Sequence, residues 1–206
     1  MNILALGAHP DDIEIGCAGT LINCARQSHE VYLGILTDGS AGGDPEVRRR
    51  EQEEAAKIIG AKKVFWGPYE DTKLMVSRES IGVIDAWINE IKPTYVLVNY
   101  SNDNHQDHRH LTRIAIAATR QIKNVLFYEV PSSTEFFPVL FNDINPVLDL
   151  KMEALKAHAS QITQTYVEHV SILDVAKASA HFRGVQGKLK FAEGFVPQRM
   201  TLSFDR

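Results

Sequence analysis

Thiols are scarce in this chain of 206 residues, which holds two cysteines, Cys17 and Cys24. A disulfide framework or a thiolate-rich zinc site needs more of them, so both read as buried, reduced thiols within one apolar helix. Long apolar runs are missing as well, and none approaches the roughly 20 residues that a membrane-spanning helix requires. Residues 1–8 lack a basic start and lead directly into His9-Pro10-Asp11-Asp12, which fails the pattern of a secretory signal. The chain therefore reads as soluble and cytoplasmic, without a membrane partner. Neither sign of charge dominates, since 22 Lys and Arg stand against 26 Asp and Glu for a net charge of −4. Such a chain projects no field for a polyanion, which excludes nucleic acid and leaves a small molecule as the expected partner. Low-complexity tracts, linkers and internal repeats are also lacking, and 44% apolar residues suffice for one core. A single domain over residues 1–206 is expected.

What is present alternates. Runs rich in β-forming residues at 3–7, 31–36, 64–66, 95–99 and 125–130 are separated by segments of helical period at 19–27, 46–59, 79–91 and 111–120. Apolar residues three and four apart mark the helices, as in Ala18, Leu21, Ile22 and Ala25 or Ile84, Trp87, Ile88 and Ile91. Gly60 and Lys92-Pro93 supply stops. The pattern predicts a three-layer, Rossmann-like α/β domain, a mostly parallel sheet with helices on both faces and strand order 3-2-1-4-5. After Pro131 the alternation loosens to a strand at 139–144, helices at 147–158 and 172–182, and a closing edge strand at 195–204.

Two clusters carry chemistry. Ala8-His9-Pro10-Asp11-Asp12-Ile13-Glu14 follows the first strand, and Asn102-Asp103-Asn104-His105-Gln106-Asp107-His108-Arg109-His110 follows the fourth. In a doubly wound sheet strands 1 and 4 are neighbours where the winding reverses, and their carboxyl-end loops face the crevice that binds ligands. The two clusters should thus meet in space. Imidazole and carboxylate without thiolate suit Zn²⁺, or Fe²⁺ or Co²⁺, and a catalytic site needs three protein ligands plus an open position. Spacing alone leaves His9, Asp11, Asp12, His105, Asp107, His108 and His110 as candidates.

Residues 8–20, from Ala8-His9-Pro10-Asp11-Asp12 to Gly19-Thr20, resemble the opening motif of the LmbE-like, or PIG-L, superfamily of zinc-dependent N-deacetylases. These enzymes act on N-acetylglucosamine conjugates, intermediates of bacillithiol synthesis among them. His105-Gln106-Asp107-His108 resembles the later metal motif, with Gln106 where many relatives carry proline, and Arg48-Arg49-Arg50-Glu51 resembles the family's Arg-x-x-Glu helix. His158-x-Ser160-Gln161 and Ala192-Glu193-Gly194-Phe195 extend the likeness over nearly the whole chain. The resemblance implies His9, Asp12 and His108 as zinc ligands, Asp11 as general base, and His105, oriented by Asp107, as acid or oxyanion-stabilising group. It also implies Arg48 as a substrate contact, an amino-sugar substrate, and the symmetric homo-oligomers common among relatives. The chemistry agrees: zinc lowers the pKa of its bound water to ~7, and an unligated carboxylate beside it can take the remaining proton.

Plainer readings stand beside these. Arg48, Arg49 and Arg50 opposite Glu51, Glu53 and Glu54 also fit a solvated helix face. Thr37-Asp38-Gly39 suits a pocket wall or a simple turn, Glu14 a backbone donor or helix N-terminus, His110 the start of a helix, and His158 packing. Competing functions are an ester or phosphoester hydrolase and a non-catalytic sugar-binding module. Phosphoester chemistry usually employs two metals, and a module without turnover should have lost Asp11.

Overall fold

The computed structural model describes residues 1–165 and 167–201. Strands β1 (Asn2–Gly7), β2 (Glu30–Thr37), β3 (Lys63–Tyr69), β4 (Tyr95–Asn99) and β5 (Asn124–Tyr128) run parallel in the spatial order β3-β2-β1-β4-β5, as the alternation predicts. Successive side chains of a strand point to opposite faces, so β1 contributes Ile3 and Ala5 to one core and Leu4 and Leu6 to another. Both faces are covered, and that is why these strands read as nearly continuous apolar runs.

Helices α1 (Asp12–Gly16), α2 (Ala18–Arg26) and α3 (Pro45–Ile59) lie over the first core, where Ile13, Leu21 and Ile59 are buried. Helices α4 (Arg78–Ile91) and α5 (Gln106–Ala118) seal the second with Ile84, Trp87, Leu111 and Ile114. The Asp44 carboxylate accepts the N–H groups of Glu46 and Val47 at 2.9 and 3.0 Å to start α3, with Pro45 in its first turn. Gly60 ends that helix at φ 81°, a left-handed conformation that suits a residue without Cβ. Helices α6 (Leu148–Ala157) and α7 (Ile172–Gln186) complete the set. None among the described residues is long and apolar enough to cross a membrane. Cys17 is buried at the junction of α1 and α2, outside the single helix expected for both thiols, and neither cysteine is bridged.

Two departures from the sequence reading bear on function. Both chemistry-bearing segments occupy the first turns of helices: α1 begins at Asp12, and α5 begins at Gln106 instead of 111. The expected closing strand is internal, since β7 (Ala192–Arg199) lies between β5 and the edge strand β6 (Leu140–Asp143), antiparallel to both. It starts at Ala192 because buried Glu193 is fully engaged, accepting the N–H groups of Gly19 and Thr20 at 2.9 and 2.7 Å and pairing with Lys151 Nζ at 2.5 Å. A carboxylate at the N-terminus of α2 complements that end of the helix. Residues 202–204 of the expected strand lie outside the described residues.

Candidate metal centre

The exits of β1 and β4 are pinned together before any site residue is reached. Asn99 Oδ1, at the end of β4, accepts the N–H of Ala8 at 3.3 Å and the Tyr128 hydroxyl at 3.2 Å, while Thr37 Oγ1 donates to the Ala8 carbonyl at 2.8 Å. His9 and the start of α1 thereby face the first turn of α5. His9 Nδ1 stands 3.2 Å from His108 Nε2, His108 Nε2 stands 3.2 Å from Asp12 Oδ1, and Asp12 Oδ2 stands 3.6 Å from His9 Nδ1. All three residues are buried. A tetrahedral ion held about 2.0–2.1 Å from each ligand atom places neighbouring ligand atoms about 3.3–3.4 Å apart. The trio fits a divalent ion in spacing and in chemistry.

The far side of each ring supports this. His9 Nε2 lies 2.9 Å from Asp71 Oδ1 and 3.3 Å from Asp107 Oδ2, and His108 Nδ1 lies 3.1 Å from Asp103 Oδ1. Carboxylates there hold the ring protons outward and turn the lone pairs of His9 Nδ1 and His108 Nε2 toward each other and toward Asp12, which is the arrangement that orients metal-ligating histidines. The surrounding acids call for positive charge at this point. Burial opposes the imidazolium, yet Asp12 and Asp103 push the His108 pKa up to about 9, and His9 is likewise raised against its burial by Asp107, Asp12 and Asp71.

One His105 nitrogen also comes within 4.8 Å of a nitrogen of His9 and one of His108. Its Nδ1, however, accepts the N–H of Asp107 at 3.2 Å as the cap of α5. The neutral ring then carries its proton on Nε2. Asp107 orients His105 through its backbone and not through its carboxylate, which accepts the Thr72 N–H at 2.8 Å and faces His9. Burial and the neighbouring His9 and His108 keep the His105 pKa below its usual value.

Asp11 is beside the trio, outside its 3.2–3.6 Å triangle, in a left-handed conformation with φ 100°. Its carboxylate meets Arg48 Nη2 at 3.2 Å, and burial raises its pKa to about 6 against the pull of that guanidinium. Arg48 is itself buried and donates to the carbonyls of Gly39 at 2.7 Å and Pro10 at 2.5 Å. A polar cavity of about 260 Å³ opens over the trio, with Arg48, Asp71, Gln161 and Gln164 among its walls.

The structure thus gathers His9, Asp11, Asp12, Arg48, His105, Asp107 and His108 in one place. His110 is apart from them, its Nδ1 being 2.5 Å from the Leu74 carbonyl. Glu14 departs from expectation, since its Oε1 accepts from the side chain of Gln52 at 2.7 Å instead of from a backbone donor. Asp38 sits in a turn whose carboxylate accepts the N–H groups of Ser40 and Asp71, both at 3.0 Å, and so fixes Asp71. Sequence reasoning missed three supports. Asp103 was within reach as part of the second cluster, and helical spacing with Ala55, Ala56 and Ile59 puts Gln52 on the inward face of α3, where it is buried, without naming its partner, whereas Asp71, in the turn after β3, carries no local signal.

Two imidazoles and a carboxylate converging at the carboxyl edge of a doubly wound sheet, with the Asp11 carboxylate alongside, make a donor set that could hold a divalent ion with a position left open. Residues 4–119 match the PIG-L family, described as GlcNAc-PI de-N-acetylase, and the chain belongs to that family. It is 31% identical over 168 residues to the uncharacterized deacetylase YaiS of Escherichia coli K12, covering 77% of this chain and 91% of the relative. It is 29% identical to the diacetylchitobiose deacetylase of Thermococcus kodakarensis, covering 95% of this chain and 83% of the relative. The crystal structure of GalB, the 4-carboxy-2-hydroxymuconate hydratase of Pseudomonas putida KT2440, superposes with a TM-score of 0.86 at 21% identity, covering 100% of this chain and 99% of that one. That likeness concerns the fold, which supports more than one chemistry, so the reaction has to be argued from the site.

Proposed function

We propose that the chain is a metal-dependent deacetylase that removes the acetyl group from an N-acetylglucosamine-type amino sugar or its conjugate. The observation that carries this reading is the trio of His9, Asp12 and His108 at metal-ligand spacing with the unligated Asp11 carboxylate beside it. A divalent ion held by that trio, Zn²⁺ or else Fe²⁺ or Co²⁺, would supply Lewis-acid activation of water and polarisation of the acyl oxygen. Asp11 takes the proton as water attacks the amide carbonyl and returns it to the departing amine, so that water and amide become acetate and free amine. His105 Nε2–H donates to the acyl oxygen as negative charge develops on it. This makes His105 a neutral oxyanion donor, since a ring that accepts the Asp107 N–H on Nδ1 does not also hold a proton there. Arg48 secures Asp11 and Pro10 on one side and lines the cavity on the other, where a sugar hydroxyl is a fitting acceptor.

Acetate and free amine released from a panel of N-acetylglucosaminides, with each of the three metals, test the reading. Equal amounts of acetate and amine, dependent on metal and lost in Asp11→Asn, are expected. No release from any member by protein carrying one ion per chain would overturn it.

A further inference from the structure

We infer that Gln52 is a positioning residue for Asp11, holding the base in a backbone conformation that the local sequence does not favour. The inference rests on the reading of Asp11 as general base. Asp11 has φ 100° and ψ −25°, where a side chain with a Cβ is strained, and no side chain caps α1 at this position. Something beyond the segment has to keep it there. Arg48 Nη2 grips the preceding carbonyl of Pro10, and Gln52 Oε1 accepts the Asp11 N–H at 3.2 Å. These contacts fix the peptide between residues 10 and 11 from both sides.

Gln52 can do this because its own orientation is determined. It is wholly buried in the middle of α3, and a backbone N–H can only donate, so the amide oxygen faces Asp11 and the amide nitrogen faces away. That nitrogen donates to Glu14 Oε1 at 2.7 Å, and the other Glu14 oxygen lies 3.4 Å from His158 Nε2 at the end of α6. Glu14 and His158 are buried as well, and although burial opposes the imidazolium, Glu14 holds the His158 pKa above its ordinary value. A polar column of Gln52, Glu14 and His158 therefore runs through the first core from the base to α6. Among the described residues, their side-chain hydrogen bonds and ion pairs run to Asp11 and to one another, not to the metal trio. The buried amide satisfies the Asp11 N–H and the Glu14 carboxylate at once, and an apolar residue in its place would leave both unpaired and the strained N–H without a holder.

Because the proposed action goes through Asp11, the two positions should be coupled, and a double-mutant cycle measures that. With an N-acetylglucosaminide as substrate, Gln52→Leu is expected to lower kcat about tenfold with KM changed less than twofold, and to lower it less than twofold further when Asp11 is already Asn. Gln52→Glu should recover most of the loss, because a carboxyl sharing a proton with Glu14 keeps an acceptor for the Asp11 N–H. A second cycle needs no turnover. Gln52→Leu should lower Tm by about 4 °C, and by about half of that in an Asp11→Gly protein, where glycine adopts positive φ without help. Equal Tm losses in the two backgrounds, equal kcat losses in the first cycle, or an effect on KM alone would overturn the assignment. Coupling in Tm by a protein that deacetylates no glucosaminide would instead overturn the proposed reaction and leave the brace on Asp11 standing. Should the Leu variant fail to fold, Gln52→Met, of similar length and without an amide oxygen to accept the Asp11 N–H, carries both cycles with the same expected coupling.

Discussion

The two halves of the site differ in how much support they carry within themselves. The second motif supplies much of its own: His105 caps α5 through the Asp107 N–H two residues on, and Asp103 accepts the His105 N–H at 2.8 Å while reaching His108, with Ser133 Oγ on Asp103 at 2.9 Å and the Thr72 N–H on Asp107 at 2.8 Å added from outside. The first motif borrows nearly everything. Its helix α1 is five residues long, its Asp11 is left-handed, and its supports come from Thr37, Arg48, Gln52, Asp71 and Asn99 on other elements. A self-supporting ligand site survives local change elsewhere, whereas a borrowed one reports on the packing of the whole domain.

The largest expected effect erases the difference between the halves. Asp12→Ala in the first and His108→Ala in the second should each abolish stoichiometric metal, measured by elemental analysis after gel filtration, because a site of three ligands does not survive the loss of one. Asp11→Asn comes next and separates ligand from base within the first motif, with metal retained and turnover lower by about 10²–10⁴. Retained turnover would remove Asp11 from its role.

A subtler pair compares the outer supports of the two histidines. Asp103→Asn should weaken metal affinity by about 10–100-fold, as loss of such a partner typically does. Asp71→Asn should cost less, because His9 Nε2 keeps Asp107 at 3.3 Å. Competition titration with a chromophoric chelator measures both, and an equal loss at the two positions would mean that Asp107 gives no such reserve. The smallest effect tests self-support directly. His105→Ala removes the cap of α5 and should lower stability by about 0.5–2 kcal/mol in denaturant unfolding, whereas His105→Asn should restore the stability but not the turnover.

That contrast also governs how much was legible in the sequence. The parallel order of β1 to β5 follows from alternating apolar runs, which local spacing records, and the two clusters land together because the switch point is a property of that winding. The second motif's ligand, cap and outer carboxylate lie within six residues, from Asp103 to His108, and so were open to inspection. Asp71 was not, because a lone acid in a turn has no pattern of its own, and for Gln52 helical spacing gives the inward face but not the partner, which lies far off in sequence. Spacing could not choose the three ligands from seven candidates either. The choice came from resemblance, and the proposal that His9, Asp12 and His108 are the ligands draws support from the carboxylates of Asp71, Asp107 and Asp103 beyond the two rings. Beyond Pro131 the sheet turns antiparallel, and Glu193 breaks the apolar run that would have announced the start of β7.

The placement of β7 between two strands made before it has a consequence for how the protein is assembled in a cell. As the chain leaves the ribosome, β5 and β6 emerge before the strand that stands between them, and the native sheet is completed only once residues 192–199 are delivered. Until then an unpaired edge next to the half-built crevice is open to any passing strand. Synthesis that stalls before Ala192 leaves a nascent domain with both motifs in hand and no closed sheet, a natural client for chaperones.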